Sequence, residues 1–279
     1  MWVGQQLADG LDFWGFLGSL ILGGIILGIY TGLLGYVGAK TGLSLDLLSQ
    51  RAFGEKGSYL PSAMTSFTQI GWFGVGSFVS GGTATPNFAR FAKDGKAGAI
   101  TTVVAFFIGN SLMFFFGAVS SIFVGGNDIF EVMVRLNLFY LAVLVLGLNI
   151  WTTNDNALYT AGLGLANIFH QKKKPMVLLS GIIGTVASVW LYYNFCGWLN
   201  ILNCTLPPVG MILVLAYFMN KKDFETDQPK LKTIDWFAVA GVILGAIVAN
   251  LLHWGIASIN GMVVAAVCYC VGQAVNKRK

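Results

Sequence analysis

The sequence predicts an all-α polytopic membrane protein with about eight apolar segments. Three observations carry that prediction. Of its 279 residues, 56% are hydrophobic and 10% charged, against roughly 25% charged in soluble domains. The apolar residues gather into runs of bilayer length, about 20 residues each. None of these runs alternates as a strand does, so the spans are read as helices.

In chain order the segments are 13–39, 60–91, 97–124, 138–168, 176–193, 198–220, 236–253 and 256–275. The first is closed by Lys40 and followed by Arg51 and Lys56. In the third, Asn110 and Ser111 are isolated polar groups that read as helix–helix contacts. The sixth holds Pro207 and Pro208, which predict a kink or a break. The chain has 36 glycines, as expected where membrane helices pack closely or break.

Composition also excludes function classes. Cys196, Cys204, Cys268 and Cys270 lie in or near apolar segments, with neither disulfide-framework nor metal-site spacing. His170 and His253 belong to no metal or triad motif, and Asp223, Glu225 and Asp227 form a solvated loop. Gly162 and Gly164 follow no strand, so they are not a phosphate loop. No catalytic pairing is present, so an enzyme is not expected. The net charge of +5 sits in loops and does not signal nucleic-acid binding. Residues 1–12 lack the basic start and apolar core of a cleavable signal peptide.

Basic residues cluster in the loops after the first, second, fourth and sixth segments and at the end of the chain. By the positive-inside rule these loops and the C-terminus are cytoplasmic. One segment breaks the alternation. Basic loops flank 60–91 on both sides, so both its ends are expected inside. Yet half of it, 16 residues, reaches only about 24 Å, short of the ~30 Å hydrocarbon core. The open readings are a re-entrant hairpin, a breach of the charge rule, or a missing odd number of crossings.

The same segment carries Gln69 and Trp72 three residues apart, on one helical face. Then come Ser77, Phe78, Ser80, Gly81, Gly82, Thr83, Thr85 and Pro86, a composition that predicts a broken helix. Broken helices at membrane depth commonly line transporter sites. Amide and aromatic side chains suit a flat polar ligand, by edge recognition and stacking.

The fourth segment is polar where a span should be most apolar. Asn149, Thr152, Thr153, Asn154, Asp155 and Asn156 lie at its centre. An acidic group at mid-bilayer costs about 2.5–3.5 kcal/mol on the translocon scale. Asn149, Thr152, Thr153 and Asn156 share one face at i, i+3, i+4 and i+7. That stripe suits a cation or a small polar ligand. Interhelical hydrogen bonding is the alternative.

These stretches resemble the nucleobase–cation symport-1 family. The carrying residues are 27–31, 35–42, 69–76, 106–114 and 147–159, and the resemblance covers nearly the whole chain. It implies twelve helices, the first ten in two five-helix inverted repeats, with helices one and six broken at the substrate. It implies a single transporter domain, 1–279, that is an incomplete version of that fold. Residues 1–76 resemble the end of helix one to the middle of helix three, and 77–279 the middle of helix six to helix twelve. About ninety residues are then missing at Gly76–Ser77, an odd number of crossings.

The resemblance implies import of cytosine or a related nucleobase with a cation, Na⁺ favoured and H⁺ the alternative, and no other cofactor. Trp72 would stack on the base and Gln69 would hydrogen-bond it. Ser77, Phe78 and Ser80 would line its other side. Asn149, Thr152 and Thr153 would give a partial sodium site, with Asn149 or Asn154 also reaching substrate. A monomer in the bacterial inner membrane is expected, with lipid and the nucleobase as its partners. The alternative is a non-transporting membrane remnant of such a permease.

Overall fold

The computed structural model describes residues 12–75, 81–125, 129–226, 229, 231–252 and 254–277. Helix α1 (Phe13–Thr41) starts where Asp12 Oδ1 accepts the Gly15 N–H at 3.1 Å. It stops at Gly42, whose φ of 67° lets its N–H reach back to the Gly38 carbonyl at 2.9 Å. Ser44 caps the short α2 (Leu45–Phe53), and α3 (Tyr59–Val75) follows. Two single-turn pieces, α4 (Gly81–Ala84) and α5 (Pro86–Ala89), complete what the sequence presents as the second apolar segment. That segment is therefore not one continuous helix.

Asp94 caps α6 (Gly95–Val104), accepting from Ala97 N at 2.8 Å. A π-helical turn at Ala105–Gly109 runs directly into α7 (Asn110–Val124). Helix α8 (Ile129–Arg135) leads into α9 (Phe139–Phe169), then α10 (Lys173–Tyr193) and α11 (Phe195–Met219). The small α12 (Lys221–Glu225), α13 (Trp236–Leu251) and α14 (Ala257–Lys277) close the chain. All described regular structure is helical, as expected. Among the described residues, five helical stretches are long and apolar enough to cross a membrane: Phe13–Thr41, Gly95–Val124, Lys173–Leu191, Gly197–Met219 and Ala257–Asn276. Helix α9 has 31 residues, with its polar run at the midpoint.

Helix α11 is the hub. It packs on α1, α2, α3, α13 and α14. Leu34 and Val37 of α1, Leu48 and Phe53 of α2, and Val209, Ile212 and Leu213 of α11 meet in the main core. Small residues set the helix spacing. A Cβ on Gly35 would collide with Thr102 of α6, and one on Gly38 would meet Pro86 of α5. Gly164 of α9 faces Ser66 and the Ser62 carbonyl of α3, so these antiparallel helices touch backbone to backbone.

Pro207 and Pro208 lie inside α11 without ending it. Pro207 has no N–H for the carbonyl four residues back, that of Asn203. Ser258 Oγ of α14 lies 3.2 Å from that oxygen and 2.5 Å from Asn203 Oδ1. The hydroxyl of a neighbouring helix thus lies within reach of the freed carbonyl as well as of the Asn203 side chain, one of the ways in which membrane helices with internal proline re-satisfy the backbone.

Candidate functional site

The centre of the bundle is built by α3, α9 and α11. Ser66 Oγ of α3 donates to the Ala161 carbonyl of α9 at 3.1 Å, which fixes their register. One turn further along, Gln69 on α3 is buried, at 8% exposure. Gly71 removes a side chain from α3 where the Trp198 ring of α11 comes against it. Trp198 and Leu202 pack with Ala157 of α9 and Met64 of α3. This indole floor was not expected from sequence. Its signal was Gly71, a position without a side chain beside Ile70 and Trp72.

Asn154 lies one turn before Ala157 on the inward side of α9. Its Oδ1 is buried and has no hydrogen-bond partner among the described residues. Nine in ten or more of buried polar groups find a partner, so this acceptor at the middle of α9 marks an interaction that the described residues leave open. Thr160 Oγ1, further along α9, is also without a partner among them.

The polar stripe points elsewhere. Asn149 and Thr152 are exposed and Thr153 half-buried. Thr152 Oγ1 is within reach of the Leu148 carbonyl at 3.0 Å and the Asn149 carbonyl at 3.1 Å. Thr153 Oγ1 donates to Asn149 Oδ1 at 3.3 Å. The structure thus brings Asn149, Thr152 and Thr153 together; Asn149 and Thr152 lie on the exposed side of α9, and Thr153 is half-buried, as Asn154 is. The backbone of Trp72 is in α3. Its side chain, and Ser77, Phe78 and Ser80, lie outside the described residues.

A second polar centre lies where α3 begins and α9 ends. Asp46 of α2 is 5% exposed, and Ser62 Oγ of α3 donates to its Oδ1 at 2.6 Å. Asn167 of α9 donates to Ser58 at 3.0 Å and Ser62 at 2.9 Å, and accepts from Gln50 Nε2 at 2.6 Å. Asn87 Oδ1 of α5 takes the Leu45 N–H at 2.8 Å. Arg90, just after α5, donates to the Tyr159 hydroxyl of α9. Burial pushes the Asp46 carboxyl up to about 6, against the opposing pull of the Ser62 hydroxyl and the Arg90 charge. The network ties α2, α3, α5 and α9 into one polar plug.

The sequence was compared with protein families and with curated proteins. The family described as "Permease for cytosine/purines, uracil, thiamine, allantoin" matches the chain in two blocks, residues 1–84 and 74–274. The cytosine permease of Escherichia coli strain K12 is 35% identical over 372 aligned residues, covering 100% of this chain and 88% of its own. The cytosine permease of Escherichia coli O157:H7 matches equally. An allantoin permease of Bacillus subtilis strain 168 is 34% identical over 82 residues, 29% of this chain and 16% of its own. The chain is shorter than the Escherichia coli relative: 372 aligned positions less 279 residues leaves about 93 positions without a counterpart. On the family match and the full-length identity together, this multi-pass membrane protein belongs to the family of permeases for cytosine/purines, uracil, thiamine and allantoin.

Proposed function

We propose that the chain carries a binding site for cytosine or a close relative between α3, α9 and α11, coupled to a cation, with Na⁺ favoured. The observation that carries the reading is the unpartnered, buried Oδ1 of Asn154. An amino-substituted planar base offers the N–H donor that this acceptor lacks. Gln69 is the amide one turn from the α3–α9 contact and supplies both a donor and an acceptor. Trp72, three residues on, supplies the stacking ring.

The cation belongs at Thr153 Oγ1 and Asn149 Oδ1. They are 3.3 Å apart, close enough for one ion to touch both, and Thr152 adds a third oxygen. These are neutral oxygen donors, which suit a hard cation rather than a titrating proton carrier. One positive charge moving down 100 mV supplies about 2.3 kcal/mol, about a 50-fold accumulation of the base. Transport needs no chemistry on the substrate. The chain acts as a monomer in the bacterial inner membrane with its C-terminus cytoplasmic. Lys277, Arg278 and Lys279 at that end support the orientation.

The test is uptake of labelled cytosine into cells or vesicles with and without sodium. The expected result is sodium-dependent uptake, lost in Trp72→Ala and in Asn149→Ala. Uptake indifferent to both substitutions would sink the site assignment.

A second reading is a non-transporting membrane remnant, with residues 1–76 joined directly to 77–279. The 93 positions without a counterpart and the exposure of Asn149 and Thr152 favour it. Its discriminator is the nucleotide sequence across the codons for Gly76 and Ser77, together with uptake by the expressed chain. A clean junction and no uptake would select the remnant. An intact intervening coding segment would remove it.

A further inference from the structure

Two helix faces on the outside of this bundle differ in kind. On α10 the exposed large residues include Leu178, Ile182, Val186, Val189 and Trp190, and the exposed Thr185 among them bonds the Gly181 carbonyl of its own helix, so hydrocarbon solvates this strip at little cost. On α9, Asn149, Thr152, Asp155 and Asn156 are exposed around the helix midpoint. Thr152 Oγ1 bonds within its own helix and Asn149 Oδ1 accepts from Thr153, but lipid cannot satisfy the amide of Asn156, and a charged carboxylate at mid-bilayer is penalised. Polar groups at that depth face protein or a water-filled cavity.

The comparisons say what is missing from the bundle. The two family-matched blocks meet within residues 74–84, and about 93 positions of the Escherichia coli relative have no counterpart. Since one crossing takes about 20 residues, that length is enough for roughly three to four crossings.

We infer that the exposed polar face of α9, centred on Thr152 and Asn156, is the docking surface for a membrane-embedded polypeptide equivalent to those absent positions. The partner presents hydrogen-bonding groups on one helix face and apolar groups on the other. Apolar residues flanking the stripe, Leu148 and Trp151, are exposed as well and join the same contact. The inference rests on the family placement and not on transport. It therefore stands or falls separately from the uptake experiment.

The probe is the segment of the Escherichia coli relative that lies between the two aligned blocks, expressed as a separate tagged polypeptide beside the full chain. Asn156→Cys and Thr152→Cys report on the α9 face, and Lys172→Cys, in the exposed loop between α9 and α10, is the control. Maleimide labelling in membranes is read site by site by mass spectrometry, so native cysteines do not interfere. With the segment present, labelling at 156 and 152 is expected to fall at least tenfold and labelling at 172 to stay unchanged. The tagged segment is also expected to co-purify with the unsubstituted chain. Unchanged labelling at 156 and 152 overturns the inference, and failed co-purification does too. Crosslinking of Asn156→Cys to itself without the segment overturns it in favour of a second copy of this chain. If either cysteine variant fails to accumulate, the other and the co-purification decide.

Discussion

Ser62 of α3 donates its hydroxyl to Asp46 Oδ1 of α2 at 2.6 Å, and both residues are buried. The bond joins the short capped helix between α1 and α3 to the helix that carries Gln69. Gln50 and Asn167 extend the contact to α9. The groups that bear on the Asp46 charge are the Ser62 hydroxyl, its own backbone N–H and the Arg90 guanidinium.

This carboxyl gives the fold a pH dependence. Its value is raised from 3.8 to about 6 by burial, so between those values the folded chain binds the proton more tightly than the unfolded chain. The stabilisation is complete below pH ~4 and is lost as pH rises through about 6. A shift of this size corresponds to about 3 kcal/mol. Thermal unfolding in detergent should therefore show stability falling from pH 4 to pH 7, and Asp46→Asn should flatten that slope. A slope unchanged in Asp46→Asn would place the titrating group elsewhere.

Close helix contacts give a second prediction. Gly164→Ala puts a methyl group into Ser66 and within 2.9 Å of the Ser62 carbonyl. Backbone cannot yield as a flexible side chain does, so a cost of roughly 1–3 kcal/mol is expected. Gly18→Ala on α1 meets nothing within 4 Å and serves as the neutral control. Equal melting temperatures for the two variants would contradict the α3–α9 packing.

Much of this architecture was legible in the sequence. The eight apolar runs each correspond to helices, and the threonine and proline at 85 and 86 mark the described break in the second run, between α4 and α5; residues 76–80, where the expected break begins, lie outside the described residues. Pro207 and Pro208 predict a kink or a break, yet α11 runs through both, and the Ser258 hydroxyl of another helix lies within reach of a carbonyl that Pro207 leaves without its donor. Periodicity placed Asn149, Thr152 and Thr153 together. It carried no information on which side of α9 faces inward, because that is set by Gly164, Ala161 and Ala157 packing on α3 and α11. The Asp46 network was not legible at all. Its bonds join residues 46 to 62, 50 to 167 and 90 to 159, and only the fold brings those together.

The proline repair is itself testable. Ser258→Ala removes the donor to the Asn203 carbonyl and should cost about 0.5–1.5 kcal/mol. In a Pro207→Ala background the backbone N–H returns, and the same Ser258→Ala change should cost less. A double-mutant cycle measures the difference. Strict additivity would mean that Ser258 acts only on the Asn203 side chain.

Asn154 separates binding from folding most sharply. Its buried Oδ1 has no partner, and an unsatisfied buried acceptor lowers stability by about 1–3 kcal/mol. Replacing it with an apolar side chain of similar size removes that cost. Asn154→Leu should therefore melt at or above the temperature of the unsubstituted chain. The same change deletes the acceptor assigned to the base. Cytosine at a hundred times its Kd should stabilise the unsubstituted chain by about 2.7 kcal/mol, and this increment should vanish in Asn154→Leu. A purely structural asparagine predicts the reverse pattern, with lower stability and an intact ligand-induced shift. Melting curves with and without cytosine, for the two proteins side by side, decide between the two roles without any need for the chain to transport.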